Sequence, residues 1–321
     1  MIRPVTVIAA GGTIAMAGAR ALPKLDAEAL LAEVPELARI RDLRSRSVTS
    51  RPGAHLSCAE VLLVARAARE ESSAGRGVVI THGTDTLEET AVLCDVLHGR
   101  DEPVVLTGAI KPSSAAGADG PGNLLDAVAA AGAAATAGLG ALVAFAGELH
   151  AARAVRKVSS TSPRAFGSPS SGPIGSVVEG RTRIFARPSR PDPLPAPANL
   201  DARVPIVPTF LGDDGTGLRA AVRDGADAIV FVALGAGHVN PAVLAALRKA
   251  ASAVPVAVTV RPERGTLLHG TYGFGGAEGD LRASGAMPAA SLSPQAARMI
   301  LLAGLGADSV TLGAIAAALD I

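Results

Sequence analysis

Short runs of valine, isoleucine and leucine alternate along the chain with longer segments rich in alanine and leucine. The short runs are continuous rather than alternating with polar residues, which is typical of strands covered on both faces of a sheet. The longer segments have the length of helices and follow residues that commonly start helices. This rhythm predicts βαβ units and therefore an α/β fold with a mostly parallel sheet.

The predicted elements fall into two groups. In the first group, strands are expected at residues 5–9, 77–80, 103–106 and 141–145, helices at 27–31, 58–71, 87–97 and 123–134, and a hairpin at 177–185. In the second group, strands are expected at 206–209, 228–233 and 256–260, and helices at 217–224, 241–253, 294–303 and 309–319. Both groups have the same alternation, so each predicts an α/β unit of its own.

Proline is too frequent from residue 187 to residue 208 for a helix or a central strand, and we interpret this stretch as a linker. The predicted organisation is a larger N-terminal catalytic α/β domain over residues 1–186 with a doubly wound, mostly parallel sheet. A proline-rich linker over 187–205 and a smaller C-terminal α/β domain over 206–321 follow. A length of 321 residues fits two such domains.

Composition and charge exclude several classes of function. Apolar residues make up 49% of the chain and charged residues 18%, which is enough for a sizeable core. Because 30 Lys and Arg residues nearly balance 29 Asp and Glu residues, no strong basic field is available for nucleic acid or an acidic membrane. With no Trp and one Tyr, stacking platforms for single-stranded nucleic acid are also not expected. We therefore expect neither nucleic acid nor membrane as a partner.

The two cysteines, Cys58 and Cys94, make neither a disulfide framework nor a zinc site, and both are predicted to be buried free thiols. The first apolar run is one strand long and leads into a glycine turn without a small-residue cleavage site, so we interpret it as a strand rather than a signal peptide. No apolar stretch reaches the roughly 20 residues of a membrane span. We expect a soluble, cytoplasmic protein.

Polar residues gather where three predicted strands end, at the edge where open parallel sheets bind ligands. Gly11-Gly12-Thr13 follows the first strand and fits either a tight turn or a binding loop. Residues 81–86, with three threonines and an aspartate, contain more polar groups than one helix cap needs. His82, in the same run, is interpreted as structural. A third polar loop, residues 107–123, either contributes to a site or buttresses the second cluster.

Taken in order, these motifs resemble those of the bacterial-type L-asparaginases, the asparaginase/glutaminase family. The matching segments are residues 11–15 (GGTIA), 82–90 (HGTDTLEET), 107–109 (TGA), 119–124 (DGPGNL), 235–240 (GAGHVN) and 293–298 (SPQAAR). The resemblance covers nearly the whole chain. It implies a doubly wound N-terminal domain with a smaller α/β domain, and hydrolysis of asparagine, often with some glutamine, to the acid and ammonia without a metal or cofactor.

The resemblance also implies a catalytic set, which it carries onto Thr13, Thr84, Asp85 and Lys157. We interpret Thr13 as the nucleophile that forms a β-aspartyl ester, although which threonine attacks first stays open. Thr84, polarised by Lys157 and Asp85, would position water or share the proton transfers. An amide is a poor electrophile, so an activated hydroxyl and a proton donor are required. Asp85 is also expected to bind the α-ammonium group of the substrate.

The chain departs from the family pattern in two loops. Ala10 stands where the family usually has threonine, and the loop over residues 16–23 lacks the tyrosine that many members use to orient the nucleophile. The only tyrosine, Tyr272, lies far along the chain. The stretch that would bind the substrate α-carboxylate is also altered, with Gly53, Ala54 and His55 at the binding positions. Backbone N–H groups would bind there, and an exposed loop is the alternative.

The family site is completed by a neighbouring subunit, so the resemblance implies a homodimer or homotetramer. It carries two further substrate-binding positions onto Asn240 and, more loosely, onto Glu278. Two other functions stay open. The amidase component of a tRNA-dependent amidotransferase would usually bring an extra N-terminal domain or a partner. A catalytically weak, amino-acid-binding regulatory protein would keep the pocket and lose turnover, as the missing tyrosine allows.

Overall fold

The computed structural model describes residues 3–17, 22–23, 26–289 and 291–319. The chain divides into two compact units, Met1–Pro188 and Ser189–Ile321. Each unit has its own sheet and its own hydrophobic core. The family-level expectation of an α/β fold with a larger N-terminal part and a smaller C-terminal part is confirmed.

The first unit contains twelve strands and four α-helices among its described residues. The strands are β1 Val5–Ala9, β2 Met16–Ala17, β3 Leu22–Pro23, β4 Leu43–Ser47, β5 Gly77–Thr81, β6 Val104–Thr107, β7 Ala141–Phe145, β8 Glu148–Ala151, β9 Arg156–Lys157, β10 Phe166–Gly167, β11 Gly175–Val178 and β12 Arg181–Ile184. The helices are α1 Ala27–Ala32, α2 Cys58–Ser73, α3 Leu87–Val96 and α4 Gly120–Gly132.

The large sheet has the order β12-β11-β8-β7-β6-β5-β1-β4 in the described residues. Strands β4, β1, β5, β6 and β7 are parallel, and β8, β11 and β12 continue the sheet by antiparallel pairing. All residues of β1, β5, β6 and β7 are buried, because helices cover both faces of a doubly wound sheet. Each fully buried leucine or isoleucine contributes about 2 kcal/mol through the area that it removes from water.

Two strands of this sheet, β4 and β8, escape sequence prediction, and β4 shows why. Strand β4 has the sequence Leu-Arg-Ser-Arg-Ser and, among the described residues, pairs with β1 alone, at the edge of the sheet. Its last four residues are exposed. Charged side chains on an edge strand discourage pairing with another chain, so the apolar run that marks an interior strand is absent there.

The second unit contains β13 Ile206–Pro208, β14 Ile229–Ala233, β15 Val256–Val260 and β16 Met287–Pro288, which form a parallel sheet in that order. Its helices are α5 Thr216–Arg223, α6 Pro241–Ala253, α7 Glu278–Arg282, α8 Pro294–Leu305 and α9 Leu312–Leu319. The stretch predicted as a linker has no helix or strand before β13, and its residues from Ser189 onward belong to this unit. Leu194, Leu200 and Val204 of that stretch are buried. An interdomain linker over 187–205 stays a proposal.

The expectations for Cys58 and for the start of α4 need correction, and α9 begins at Leu312 rather than at residue 309. Cys94 is buried in α3, and burial raises the pKa of its thiol to about 12. Cys58 is only half-buried, because it lies at the first position of α2, where the helix begins at the surface. Helix α4 begins at Gly120 rather than at residue 123, because Pro121 fits the first turn, where a backbone N–H is not required. Within the described part of the chain, no helix is long and apolar enough to cross a membrane.

Candidate active site

Three loops meet where β1, β4 and β5 end, and glycines allow their backbones to touch. A Cβ atom on Gly12 would lie 2.3 Å from the backbone nitrogen of Gly83, and one on Gly83 would lie 2.6 Å from the nitrogen of Gly53. Gly12 also donates its N–H to the carbonyl of Arg51 at 3.2 Å. Thr13 and Thr84 are the residues that follow Gly12 and Gly83, so the two threonines begin from adjoining backbone segments.

We expect Gly12→Ala to lower the rate of the asparagine hydrolysis that the resemblance implies by on the order of 100-fold. The added methyl group would push the Thr13 loop away from Gly83. The φ angle of Gly12 is 86°, so the substitution is also strained by about 1–2 kcal/mol. Gly75→Ala is the matched control, since Gly75 has a φ of 78° with open space around its Cβ position. Equal losses of activity in the two variants would contradict the role of the close approach.

Thr84, Asp85 and Lys157 form one hydrogen-bonded cluster. The Lys157 Nζ donates to Thr84 Oγ1 at 2.9 Å and to Asp85 Oδ1 at 2.7 Å. Thr84 is buried, the Lys157 side chain is 20% exposed and the Asp85 side chain is 64% exposed. The exposed ion pair adds little stability by itself. Its value is chemical, because it places an amine beside a sheltered hydroxyl with a carboxylate open to solvent.

The Asp95–Arg153 ion pair connects α3 to the loop that leads into β9, where Lys157 lies. Arg153 Nε lies 2.7 Å from Asp95 Oδ2, and both side chains are more than nine-tenths buried. Asp95 Oδ1 also accepts a hydrogen bond from the backbone N–H of Ala141 at 3.1 Å. The pair therefore connects the helix that follows Thr84 and Asp85, the strand β7 and the segment that carries the lysine.

Thr86 does not cap α3, although its position invites that interpretation. Its hydroxyl donates to the carbonyl of Gly53 at 3.0 Å, and α3 has no side-chain cap. The structure therefore uses the polar residues after β5 for contacts between loops and for the cluster around Lys157. This answers why the segment contains more polar groups than a helix cap requires.

His82 has a structural role, as predicted. Its Nδ1 lies 2.8 Å from the carbonyl of Gly83 and its Nε2 lies 2.9 Å from Thr90 Oγ1. Since a carbonyl only accepts, Nδ1 carries the proton and the Thr90 hydroxyl donates to Nε2. Burial lowers the pKa of His82 to about 4 and outweighs the bond to Gly83, which would raise it. The neutral imidazole thereby fixes the turn that precedes Thr84.

The depressed pKa of His82 makes stability depend on pH. Below pH 6.5 the unfolded imidazole takes up a proton, whereas the folded one does so only near pH 4. The unfolded state therefore binds more protons in this window, and the free energy of unfolding should fall by about 3 kcal/mol from pH 6.5 to pH 4. Urea unfolding of His82→Gln should lose this part of the slope, whereas the control variant His55→Gln, which replaces an exposed side chain, should keep it. An unaltered slope in His82→Gln would contradict the assignment.

Two polar side chains of the third loop hold that loop together. Asp119 accepts hydrogen bonds from the backbone N–H groups of Ile110 and Lys111, at 3.0 and 2.8 Å to its nearer oxygens. Asn123 Nδ2 donates to the carbonyl of Gly108 at 3.0 Å, and its Oδ1 accepts from the N–H of Ala146 at 3.0 Å. The Asp119 carboxylate and the Asn123 amide are thus both engaged in hydrogen bonds to the backbone. Both interpretations left open by the sequence, a contribution to the site and a buttress for the second cluster, therefore stay proposals.

The loop after Thr13 is described only in part. Thr13 begins a short 3-10 helix, Thr13–Ala15, and is half-buried, while the two residues after it are buried. Strands β2 and β3 then pair antiparallel. Residues 18–21 of the loop over residues 16–23 lie outside the described residues.

The positions expected to bind the α-carboxylate lie in a short 3-10 helix, Gly53–His55. Gly53 is buried against Gly83, whereas Ala54 and His55 are exposed. Arg51 is held by Glu60, with Nε 2.9 Å from Oε1. The structure brings Gly53 into contact with the Thr84 loop and leaves Ala54 and His55 on the surface beside it, so substrate binding by these three residues stays a proposal.

Asn240 and Glu278 lie in the second unit, each in a defined environment. Asn240 caps α6, accepting from the N–H of Val243 at 2.9 Å and donating to the carbonyl of Asp213 at 2.7 Å. Its amide keeps one further donor and one further acceptor. Glu278 is fully buried and accepts from the backbone N–H groups of Thr271 and Tyr272.

The Glu278 carboxylate lies next to His238, which packs in a cluster with Tyr272 and Phe274. Its Oε2 lies 3.3 Å from His238 Nε2, without the alignment of a hydrogen bond. Burial would raise the pKa of Glu278, but the hydrogen bonds from Tyr272 and Thr271 and the nearby His238 outweigh it and lower the pKa. The His238 ring packs edge-on against Tyr272, with centroids 4.9 Å apart, and against Phe274 at 5.1 Å. Tyr272 and Phe274 are half exposed, so this cluster opens to the surface.

Directly after β5, the Thr84 hydroxyl and the Asp85 carboxylate both contact the amine of Lys157, which lies in β9. In an α/β fold this arrangement defines an enzyme site suited to nucleophilic attack by a hydroxyl group. Residues 4–190 match the family domain described as asparaginase, N-terminal, and residues 203–317 match the glutaminase/asparaginase C-terminal domain. The chain belongs to the asparaginase family, which confirms the resemblance drawn from its motifs.

Matches to individual proteins support the same family assignment. A probable L-asparaginase of Deinococcus radiodurans is 38% identical over 255 residues, covering 78% of this chain and 77% of that protein. A glutaminase-asparaginase of Pseudomonas fluorescens biotype A is 35% identical over 259 residues, covering 76% and 71%. The crystal structure of a probable cytoplasmic L-asparaginase from Campylobacter jejuni is 27% identical, covers 99% of both chains and has a TM-score of 0.85.

Proposed function

We propose that this protein hydrolyses L-asparagine to L-aspartate and ammonia at the carboxyl edge of the first unit's sheet. Thr13 is the nucleophile, and Thr84, Lys157 and Asp85 are the group that moves protons. The observation that carries the proposal is the position of Lys157 Nζ, 2.9 Å from Thr84 Oγ1 and 2.7 Å from Asp85 Oδ1. The choice of asparagine as the substrate is supported by the relatives that are named L-asparaginase.

The reaction proceeds in two halves. Thr13 Oγ attacks the side-chain amide carbon, the C–N bond breaks, and ammonia leaves with the proton that the hydroxyl loses. Water then attacks the resulting β-aspartyl ester, which releases aspartate and restores the threonine. A threonine hydroxyl is a weak nucleophile unless a base accepts its proton, and an amine sheltered from solvent beside a carboxylate is suited to that task. Thr84 positions the water or relays the proton, since its hydroxyl touches the amine.

Asp85 gives the site its preference for amino acids over simple amides. Its exposed carboxylate pairs with the α-ammonium group of asparagine, a charge-assisted contact. The wild-type protein should therefore release ammonia from asparagine with a kcat/KM about 10–100-fold above that for succinamic acid, which lacks the ammonium group. In Asp85→Asn this ratio should shrink toward one, beside any loss of kcat.

Ammonia release from asparagine and from succinamic acid, measured with the purified wild-type protein and with Asp85→Asn, tests the proposal. No release from asparagine by the wild-type protein would overturn the function. Release from asparagine with an unchanged substrate ratio in Asp85→Asn would overturn only the role of Asp85. L-glutamine belongs in the same assay as a minor substrate, because one of the relatives is named glutaminase-asparaginase.

The site draws on a second copy of the chain in this proposal. Asn240 and Glu278 of a neighbouring subunit contact the substrate, so the active form is a homodimer or homotetramer. A mixture of Thr13→Ala and Asn240→Ala proteins, dissociated and reassociated, should regain part of the activity that each lacks alone, since mixed assemblies contain one intact site. Sedimentation should give more than one chain per particle. No recovery in verified mixed assemblies would overturn the shared site.

We also propose that the protein works in the cytoplasm on free asparagine, supported by its similarity to the Campylobacter jejuni protein described as cytoplasmic. Cell fractionation of the native host tests this, and recovery of the chain in a periplasmic extract would contradict it. Gly53, Ala54 and His55 complete the proposed site at the substrate α-carboxylate.

A further inference from the structure

Glu88 lies in the first turn of α3, three residues after Asp85. It is half-buried, and its carboxylate accepts a hydrogen bond from the backbone N–H of Lys157. The contact joins residues 69 positions apart in the chain. It connects Lys157 to α3, the helix that follows Thr84 and Asp85, with which the Lys157 amine forms hydrogen bonds.

The backbone of Lys157 is held from two sides. On one side, β9 pairs with β10, where Phe166 stands opposite Lys157, and the N–H of Val158 donates to Ala165 at 2.7 Å. Successive N–H groups of a strand point to opposite edges, so the N–H of Lys157 points away from β10, and Glu88 accepts it there. The Phe166 ring packs against Phe145 of β7, with centroids 4.9 Å apart. The two-residue strand is thus fixed to the sheet and to α3.

We propose that Glu88 is a positioning residue for asparagine hydrolysis: by holding the main chain of Lys157 against the start of α3, it sets the reach of Nζ to Thr84 Oγ1. The inference rests on the proposed roles of Lys157 and Thr84. A lysine side chain has four flexible carbons, so its amine is placed reproducibly only when its backbone is fixed. A bond from an N–H to a carboxylate is charge-assisted and stronger than a neutral one.

The test compares Glu88→Leu with Glu88→Gln, because glutamine keeps the reach and an oxygen that can accept. Glu88→Leu should lower kcat for asparagine by about 100-fold with little change in KM, since displacing a catalytic group by about 1 Å has that effect. Glu88→Gln should stay within about tenfold of the wild-type kcat. Glu28→Leu, which removes an exposed carboxylate from the first turn of α1, should leave kcat unchanged.

A crystal structure of Glu88→Leu provides a readout besides activity. The separation of Lys157 Nζ from Thr84 Oγ1 should exceed the 2.9 Å of the wild-type protein. An unchanged separation together with a lowered kcat would overturn the positioning role. So would a wild-type kcat in a folded Glu88→Leu protein, while leaving the proposed function intact.

A Lys157→Met background separates this inference from the function on which it rests. There, adding Glu88→Leu should change the remaining kcat by no more than about twofold, because Glu88 acts only through Lys157. A further large loss in that background would overturn the inference. Wild-type activity in Lys157→Met alone would instead overturn the proposed function, and with it the reason to position the lysine.

Discussion

Thr13→Ala is expected to lower kcat for L-asparagine by on the order of 10⁴-fold or more, because the substitution removes the atom that forms the ester. Thr13 is half-buried at the start of a short 3-10 helix, so the loss of one hydroxyl should leave the fold unchanged. The measurement is ammonia release at saturating asparagine, with circular dichroism to verify folding.

Thr13→Ser is the matched control for this loss. Serine keeps the hydroxyl and lacks only the methyl group, so it should retain activity within about 100-fold of wild type. A Thr13→Ala protein that turns over asparagine as fast as Thr13→Ser would show that the nucleophile lies elsewhere. The ratio between the two variants, rather than either loss alone, identifies the attacking hydroxyl.

Lys157→Met is expected to lower kcat by about 10³-fold, because methionine fills similar space without an amine that can move a proton. The substitution removes both hydrogen bonds that the amine donates, to Thr84 Oγ1 and to Asp85 Oδ1. The fold should survive, since the ion pair to the exposed Asp85 contributes little stability. Lys249→Met, on the exposed face of α6, is the control and should keep the wild-type kcat.

The same cluster should behave as one unit in a double variant. If Thr84 and Lys157 move the same proton, Thr84→Val combined with Lys157→Met should be about as slow as the slower single variant. Losses that simply multiply would show that the two residues act on separate steps. Asparagine turnover and aspartate binding, measured on the same samples, separate a catalytic loss from a collapsed pocket.

Interior strands were predictable because burial on both faces requires continuous apolar runs. The observed bounds of β1, β7 and β15 coincide with the predicted residues 5–9, 141–145 and 256–260. Strand β4 was not predictable, since one neighbour and an exposed position favour arginine and serine over valine. The two-residue strands β9 and β10 are too short for any periodic pattern.

The site was only partly predictable for a related reason. Thr84 and Asp85 stand in a polar run after a buried strand, which is a local pattern, and Gly12 precedes Thr13 in another. Lys157 lies 73 positions from Thr84 and looks like an ordinary surface lysine, so only the resemblance to the family selected it. The contact from Glu88 to Lys157 had no sequence signal, because a carboxylate in a first helical turn usually faces solvent or the helix dipole.

The most direct test of the central claim is mass spectrometry of the protein quenched with acid during asparagine turnover, followed by proteolysis. A β-aspartyl ester on the peptide that contains Thr13 is the expected result. An ester on the Thr84 peptide, or rapid turnover with no ester on either threonine, would contradict the assignment of Thr13 as the nucleophile.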